Sequence, residues 1–178
     1  MNLNKEKTCC FIGHRKVSNK EILKERVYET TENLILNNKV DTFLFGSKSE
    51  FNDLCLEIVT ALKEKYPHIK RIYVRSAFPD ISDRYEKYLL KQYEGTYFPE
   101  KVKGAGKASY VVRNKEMIDK SNFCIFYYDE NYLPPRRRKN NSPLSVYQPK
   151  SGTKVAYEYA IKNKIKIINV WCYLLLKH

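Results

Sequence analysis

Short, uniformly apolar runs alternate along this chain with segments of helical period. Thr8-Cys9-Cys10-Phe11-Ile12 has no polar alternation, the mark of a strand covered on both faces, and it ends at Gly13-His14-Arg15. Ser18 or Asn19 can cap the helix that follows, whose Leu23, Val27, Thr30 and Leu34 share one face; Asn37-Asn38 ends it. Thr42-Phe43-Leu44-Phe45 is a second strand, closed by Gly46-Ser47. Leu54, Ile58, Ala61 and Leu62 mark the next helix, which Pro67 stops, and Arg71-Ile72-Tyr73-Val74 is the third strand.

Strand and helix alternating at this interval imply a parallel sheet with right-handed crossovers. Residues 81–94 have helical spacing through Tyr85, Tyr88, Leu89 and Gln92, and 95–108, with Pro99, Gly104 and Gly106, have no regular pattern. Residues 110–120 form a helix bearing Arg113, and Phe123-Cys124-Ile125-Phe126-Tyr127-Tyr128 is the fourth strand. Residues 129–150 break the rhythm with Pro134-Pro135, Arg136-Arg137-Arg138-Lys139, Pro143 and Pro149, and no regular structure is expected there. Connections longer than about 12–15 residues are uncommon in compact domains and are usually functional. A helix beginning near Thr153 leads to a fifth strand over 165–170, and the apolar tail Trp171-Cys172-Tyr173-Leu174-Leu175-Leu176 needs a surface to cover it. The expected fold is α/β: about five parallel strands in the order 3-2-1-4-5 with helices on both faces.

Composition narrows this picture. The 178 residues suit one domain spanning 1–178, and 43% apolar content excludes a disordered chain. No apolar run approaches the roughly 18–20 residues of a membrane span, and residues 1–7 lack the apolar core of a signal peptide, so a cytoplasmic protein without a membrane partner is expected. The five cysteines form no CxxC pair and show no ligand spacing with His14, His68 or His178, which points to buried thiols and no metal site. The net charge of +13 favours anionic ligands or polyanionic partners.

Ligands of open parallel sheets bind outside the carboxyl ends of the strands, where strand order reverses. Here that crevice lies between the first and fourth strands, flanked by Gly13-His14-Arg15 and Tyr128-Asp129. Gly13 permits a tight turn and close ligand approach, and the Arg15 fork suits a phosphate. His14 can bind, act as an acid or base, or hold a structural hydrogen bond. Gly46 and Ser47 form a second turn rich in N–H groups, and Glu50 can accept a ribose hydroxyl or complement a helix dipole. Lys150-Ser151-Gly152-Thr153-Lys154 opens the last helix, where unpaired N–H groups and the dipole suit a phosphate.

Arg113-Asn114-Lys115-Glu116-Met117-Ile118-Asp119-Lys120-Ser121-Asn122, the apolar strand after it, and Ser151-Gly152-Thr153 together resemble the Rossmann-like SLOG superfamily, which includes DprA and the LOG phosphoribohydrolases. Phe11-Ile12-Gly13-His14-Arg15 and Phe45-Gly46-Ser47 look most like its YpsA-like branch of bacterial proteins. The resemblance implies a pocket for a nucleotide or nucleotide derivative, with no obligatory cofactor, and a tendency to form homodimers. LOG enzymes cleave the N-glycosidic bond of nucleoside monophosphates with an arginine, matched in position by Arg113, and a glutamate. The glutamate position is Ala156, Lys150-Ser151 replace the family's paired glycines, and Asn52 stands where an aspartate is expected. Glu158 lies ~200° further round the helix than Ala156 and does not substitute simply.

Three functions follow as expectations. The first is nucleotide binding or sensing through Gly13, Arg15, Gly46, Ser47, Arg113, Ser151, Gly152 and Thr153. The second is an N-glycosidase or related hydrolase working through an unfamiliar carboxylate, Glu50 or Asp129. The third is nucleic-acid binding through Arg136, Arg137, Arg138 and Lys139 with neighbouring tyrosines.

Overall fold

A computed structural model describes residues 3–46, 48–138 and 146–171. Ser47, Lys139 and the tail beyond Trp171, with Cys172, lie outside the described residues. The elements are β1 (Thr8–Gly13), α1 (Lys20–Asn38), β2 (Thr42–Phe45), α2 (Glu50–Lys65), β3 (Lys70–Val74), α3 (Asp83–Leu89), β4 (Gly95–Tyr97), α4 (Ser109–Asp119), β5 (Phe123–Tyr127), β6 (Arg137–Arg138), β7 (Val146–Tyr147), α5 (Gly152–Lys162) and β8 (Lys166–Asn169).

Among the described residues the main sheet has six strands in the order β4-β3-β2-β1-β5-β8, and every pairing is parallel. The five strands legible in the sequence take their expected order. The sixth, β4, extends the β3 edge through the pairs Ile72↔Gly95, Tyr73↔Thr96 and Val74↔Tyr97, inside a segment expected to be irregular. The segment 129–150 also differs from expectation, because Arg137 pairs Tyr147 and Arg138 pairs Val146 in an antiparallel ribbon.

Alternate residues of the strands feed two cores, giving three layers of Rossmann-like type. Cys9, Phe11, Phe43 and Phe45 pack with Leu23, Val27 and Leu34 of α1 and Leu54, Ile58 and Leu62 of α2. Cys10, Ile12, Leu44, Ile72 and Val74 face Met117 and Ile118 of α4 and Ala156 and Ala160 of α5. Each large side chain so buried contributes about 1.5–3 kcal/mol of transfer free energy, which fixes the helices against the sheet. On α1 the buried threonine is Thr31 rather than Thr30, and Ala61 on α2 is exposed while Cys55 and Val59 are buried. The helix expected over 81–94 is confined to α3; Ser82 caps it through the Tyr85 amide, and its chain breaks into turns after Leu89.

Cys9, Cys10, Cys55 and Cys124 are free, buried thiols, and the Cys10 thiol donates to Cys124 Sγ at 3.2 Å. Burial pushes the pKa of Cys9, Cys55 and Cys124 well up, so these thiols stay protonated and unreactive at neutral pH. No described helix is long and apolar enough to cross a membrane.

Candidate functional site

Strand order reverses between β1 and β5, and the parallel pairing brings the carboxyl ends of β1, β2, β3 and β5 to one edge of the sheet. Gly13 and Gly46 sit at this edge, each for a local reason.

Gly13 ends β1 beneath Phe51. A Cβ there would lie 2.4 Å from Phe51 Cδ1 and 2.7 Å from its Cγ, so the absent side chain makes room for the first turn of α2. His14 is buried, only 6% exposed, with its ring 4.3 Å from that of Tyr132. Its Nε2 accepts the Asp129 amide at 3.1 Å, which ties the end of β1 to the end of β5. That bond needs a lone pair on Nε2 and therefore a neutral ring protonated on Nδ1. Burial lowers the His14 pKa from 6.5, against an opposing pull from Asp129. The unfolded chain takes up the proton first on acidification, so this residue's contribution to stability should fall as the pH drops below 6.5. Nitrogen-detected NMR of the imidazole should show unprotonated Nε2 at neutral pH and a midpoint below 6.5; a midpoint above 6.5 would contradict this environment.

Arg15 is exposed, and its carbonyl accepts the Glu50 amide at 2.9 Å. The Glu50 carboxylate meets Lys16 Nζ at 2.6 Å and accepts the Val17 amide at 3.2 Å, and these partners hold its pKa down. Glu50 therefore fastens the β1–α1 loop. Asp129 Oδ1 likewise accepts the Asn131 amide at 2.9 Å, closing a turn after β5. Asn169 of β8 exchanges two side-chain hydrogen bonds with the Tyr128 backbone, at 3.1 and 2.9 Å, and steadies the same turn.

Gly46 and Arg113 are in direct contact. A Cβ on Gly46 would lie 2.6 Å from Arg113 Nη1, 2.7 Å from Cζ and 2.8 Å from Cδ. The guanidinium lies against the backbone at the end of β2 because that position has no side chain. The Gly46 amide itself donates to Asn52 Oδ1 at 3.4 Å, so this glycine serves close packing rather than offering a free N–H. Arg113 is 1% exposed; Nε donates to Asn114 Oδ1 at 3.0 Å, Nη1 reaches the Val74 carbonyl at 3.4 Å, and the guanidinium lies 5.7 Å from the Tyr110 ring centroid. No carboxylate pairs with it among the described residues. Burial lowers its pKa to about 10, with Tyr73 and Tyr110 opposing.

Arg75, which the strand pattern alone did not single out, follows Val74 at the same edge. Its Nη1 donates to the carbonyls of Phe78 at 2.8 Å and Pro79 at 3.0 Å, while its buried Nε has no partner. It too lacks a carboxylate among the described residues. Reading one residue past the third strand, as was done for the first, would have found it.

Ser151 caps α5, its hydroxyl accepting the Lys154 amide at 3.0 Å. The Gly152 and Thr153 amides have no hydrogen-bond partner among the described residues, and the space around Gly152 is open. No hydrogen bond or ion pair among the described residues joins this turn to Gly13, Gly46 or Arg113. Ala156 is built into the core beside Ala160. Arg136, Arg137 and Arg138 are exposed, and the ribbon register sets Arg137 across from Tyr147.

Two surface hollows lie between helices, the first of them touching Glu50. One of about 270 Å³ lies between α1 and α2 and is lined by Lys20, Lys24, Asp53 and Glu57 among others; the other, about 420 Å³, lies between α4 and α5 around Lys115, Tyr159 and Lys162. Neither touches Arg113, Gly46 or His14, and neither combines buried charge with the strand ends. Among the described residues no cluster of three or more His, Cys, Asp or Glu side chains is placed to hold a metal ion. The chain matches no protein-family model and no curated protein.

Proposed function

We propose that this protein binds a nucleotide or nucleotide derivative at the carboxyl edge of its sheet, with a phosphate at the Arg113–Gly46 corner. The observation that carries the reading is Arg113 itself, a guanidinium 1% exposed with no carboxylate partner among the described residues. A buried cation is costly unless something compensates it, and the polar contacts it makes are neutral. An incoming phosphate would supply the missing charge and match the planar fork. Arg75, at the end of the same strand that offers Arg113 its carbonyl, and the unpartnered amides of Gly152 and Thr153 add donors of the same sign.

Binding is favoured over hydrolysis. Glycosidic cleavage needs a carboxylate free to stabilise a developing cation or orient water. Glu50 is held by Lys16 and the Val17 amide, Asp129 closes a turn, and Ala156 packs in the core. Sensing of a nucleotide fits this corner better than turnover, and the resemblance to the SLOG superfamily supports the nucleotide pocket itself.

The test is thermal unfolding across adenine and guanine nucleotides, including cyclic forms and ADP-ribose. At a 100-fold excess over Kd the cognate ligand is expected to add about 2.7 kcal/mol, a rise of roughly 5–11 °C for a domain of this size. A panel in which no nucleotide raises the midpoint removes the reading.

A further inference from the structure

We propose that Phe78 is the stacking platform of the Arg113 site, so that the ligand presents a planar heterocycle to Phe78 while its phosphate meets Arg113. This rests on the nucleotide reading above and adds the part of the ligand that phosphate chemistry leaves open.

Phe78 is the outlier of the backbone. The described non-glycine residues at positive φ are Asn19, Lys39, Phe78 and Lys164. Lys39 ends α1 and Lys164 follows the last turn of α5, positions where a left-handed residue is common, and Asn19, which precedes α1, is of a residue type that adopts this conformation readily. Phe78, with φ of 58°, lies in the loop between β3 and α3, and a bulky side chain there is strained. Its ring is 69% exposed and makes no aromatic or cation contact among the described residues. Folding therefore gains little from this side chain and bears its strain.

The conformation is imposed by the scaffold. Arg75 Nη1 holds the carbonyls of both Phe78 and Pro79, while the Arg75 amide is anchored to the Tyr97 carbonyl at 2.9 Å and its guanidinium lies 6.0 Å from the Phe98 ring centroid. The same strand end receives Arg113, whose Nη1 reaches the carbonyl of Val74. Four residues of chain span at most ~13–14 Å, and the Arg75 bonds fold this stretch back, so the Phe78 backbone lies inside that limit from Val74, whose carbonyl Arg113 reaches. Tyr110, 60% exposed, is the other aromatic at this cation, but its ring already faces the guanidinium. A strained, exposed aromatic in the loop that leaves the strand end reached by an uncompensated buried arginine suits a ligand with a flat ring at one end and an anion at the other.

The experiment is calorimetric titration of the four common nucleoside 5′-monophosphates and of ribose 5-phosphate into the wild-type protein and into Phe78→Ala, Phe78→Trp and Phe78→Gly. The proposal expects the preferred nucleotide to bind Phe78→Ala roughly tenfold more weakly, Phe78→Trp to retain affinity, and ribose 5-phosphate to bind all forms equally. Phe78→Gly removes the strain, so it should unfold no earlier than wild type while losing the same nucleotide affinity, which separates binding from folding. Equal nucleotide affinity in wild type and Phe78→Ala overturns the platform and leaves the phosphate corner standing. If wild type binds neither the nucleotides nor ribose 5-phosphate, nor any ligand of the thermal panel that includes cyclic nucleotides and ADP-ribose, the nucleotide reading fails and the platform with it.

Discussion

Replacing Arg113 with methionine is expected to raise the melting temperature of the ligand-free protein and to abolish its response to nucleotides. The guanidinium is held at a pKa of about 10 against an ordinary 12.5. A cation whose folded pKa is depressed carries its full penalty below the folded value, and the penalty fades as the pH rises from about 10 towards 12.5, where the folded state has already lost the proton. At neutral pH the charge therefore costs folding about 3 kcal/mol. Methionine removes that cost together with the bonds to Asn114 and the Val74 carbonyl, each contributing about 0.5–1 kcal/mol. The net gain is about 1–2 kcal/mol, or roughly 2–8 °C. Differential scanning calorimetry of both proteins without ligand, repeated with the cognate nucleotide, reads both effects. A melting point that drops by several degrees would show that a partner already compensates Arg113, and the argument for a phosphate there would lose its basis.

The sheet was legible wherever burial on both faces left an unbroken apolar run. Thr8-Cys9-Cys10-Phe11-Ile12 and Phe123-Cys124-Ile125-Phe126 are such runs, and they form the neighbouring interior strands β1 and β5. Connection length and handedness then ordered the remaining strands. β4 escaped because its three residues, Gly95, Thr96 and Tyr97, are half-buried at an edge, where the pattern of a central strand is absent. The β6–β7 ribbon escaped for a related reason: Arg137 and Arg138 are both exposed, and their register comes from cross-strand hydrogen bonding rather than from a buried face.

The site was legible as an edge of the sheet and less so as a set of roles. Gly13 and Gly46 were singled out for what each could offer a ligand, and His14 and Glu50 for a ligand role or a structural one; the structure engages all four with the protein, His14 through the structural hydrogen bond that was one of its alternatives. A sequence displays a glycine without displaying what approaches it; at Gly46 the approaching group is another candidate, Arg113, five elements later in the chain. Phe78 carried no signal at all, since an aromatic beside Pro79 does not reveal a positive φ.

Gly13→Ala is expected to be the most destabilising small substitution at this edge, by about 3 kcal/mol, lowering the melting point by roughly 6–12 °C. The introduced methyl would lie 2.4 Å from Phe51 Cδ1 and 3.0 Å from Tyr127 Cβ. Phe51 is completely buried and stacks on Tyr127 at 5.5 Å, so the ring has no free volume to enter. Tyr127 cannot yield readily, because its hydroxyl bonds the Ser18 amide at 3.1 Å and its backbone pairs with Gly13 in the sheet. The first turn of α2 must move instead. The cause is steric, since the described glycines at positive φ are Gly104 and Gly106, and Gly13 is not among them. Combining Gly13→Ala with Phe51→Leu should therefore recover about 1–2 kcal/mol relative to the sum of the single changes. Gly152→Ala is the control: it meets nothing within 4 Å at the start of α5 and should leave the fold at least as stable. Urea denaturation of the four variants and wild type measures the coupling. Strict additivity, or a Gly13→Ala protein as stable as wild type, would return Gly13 to the role of a residue kept small for a ligand's approach.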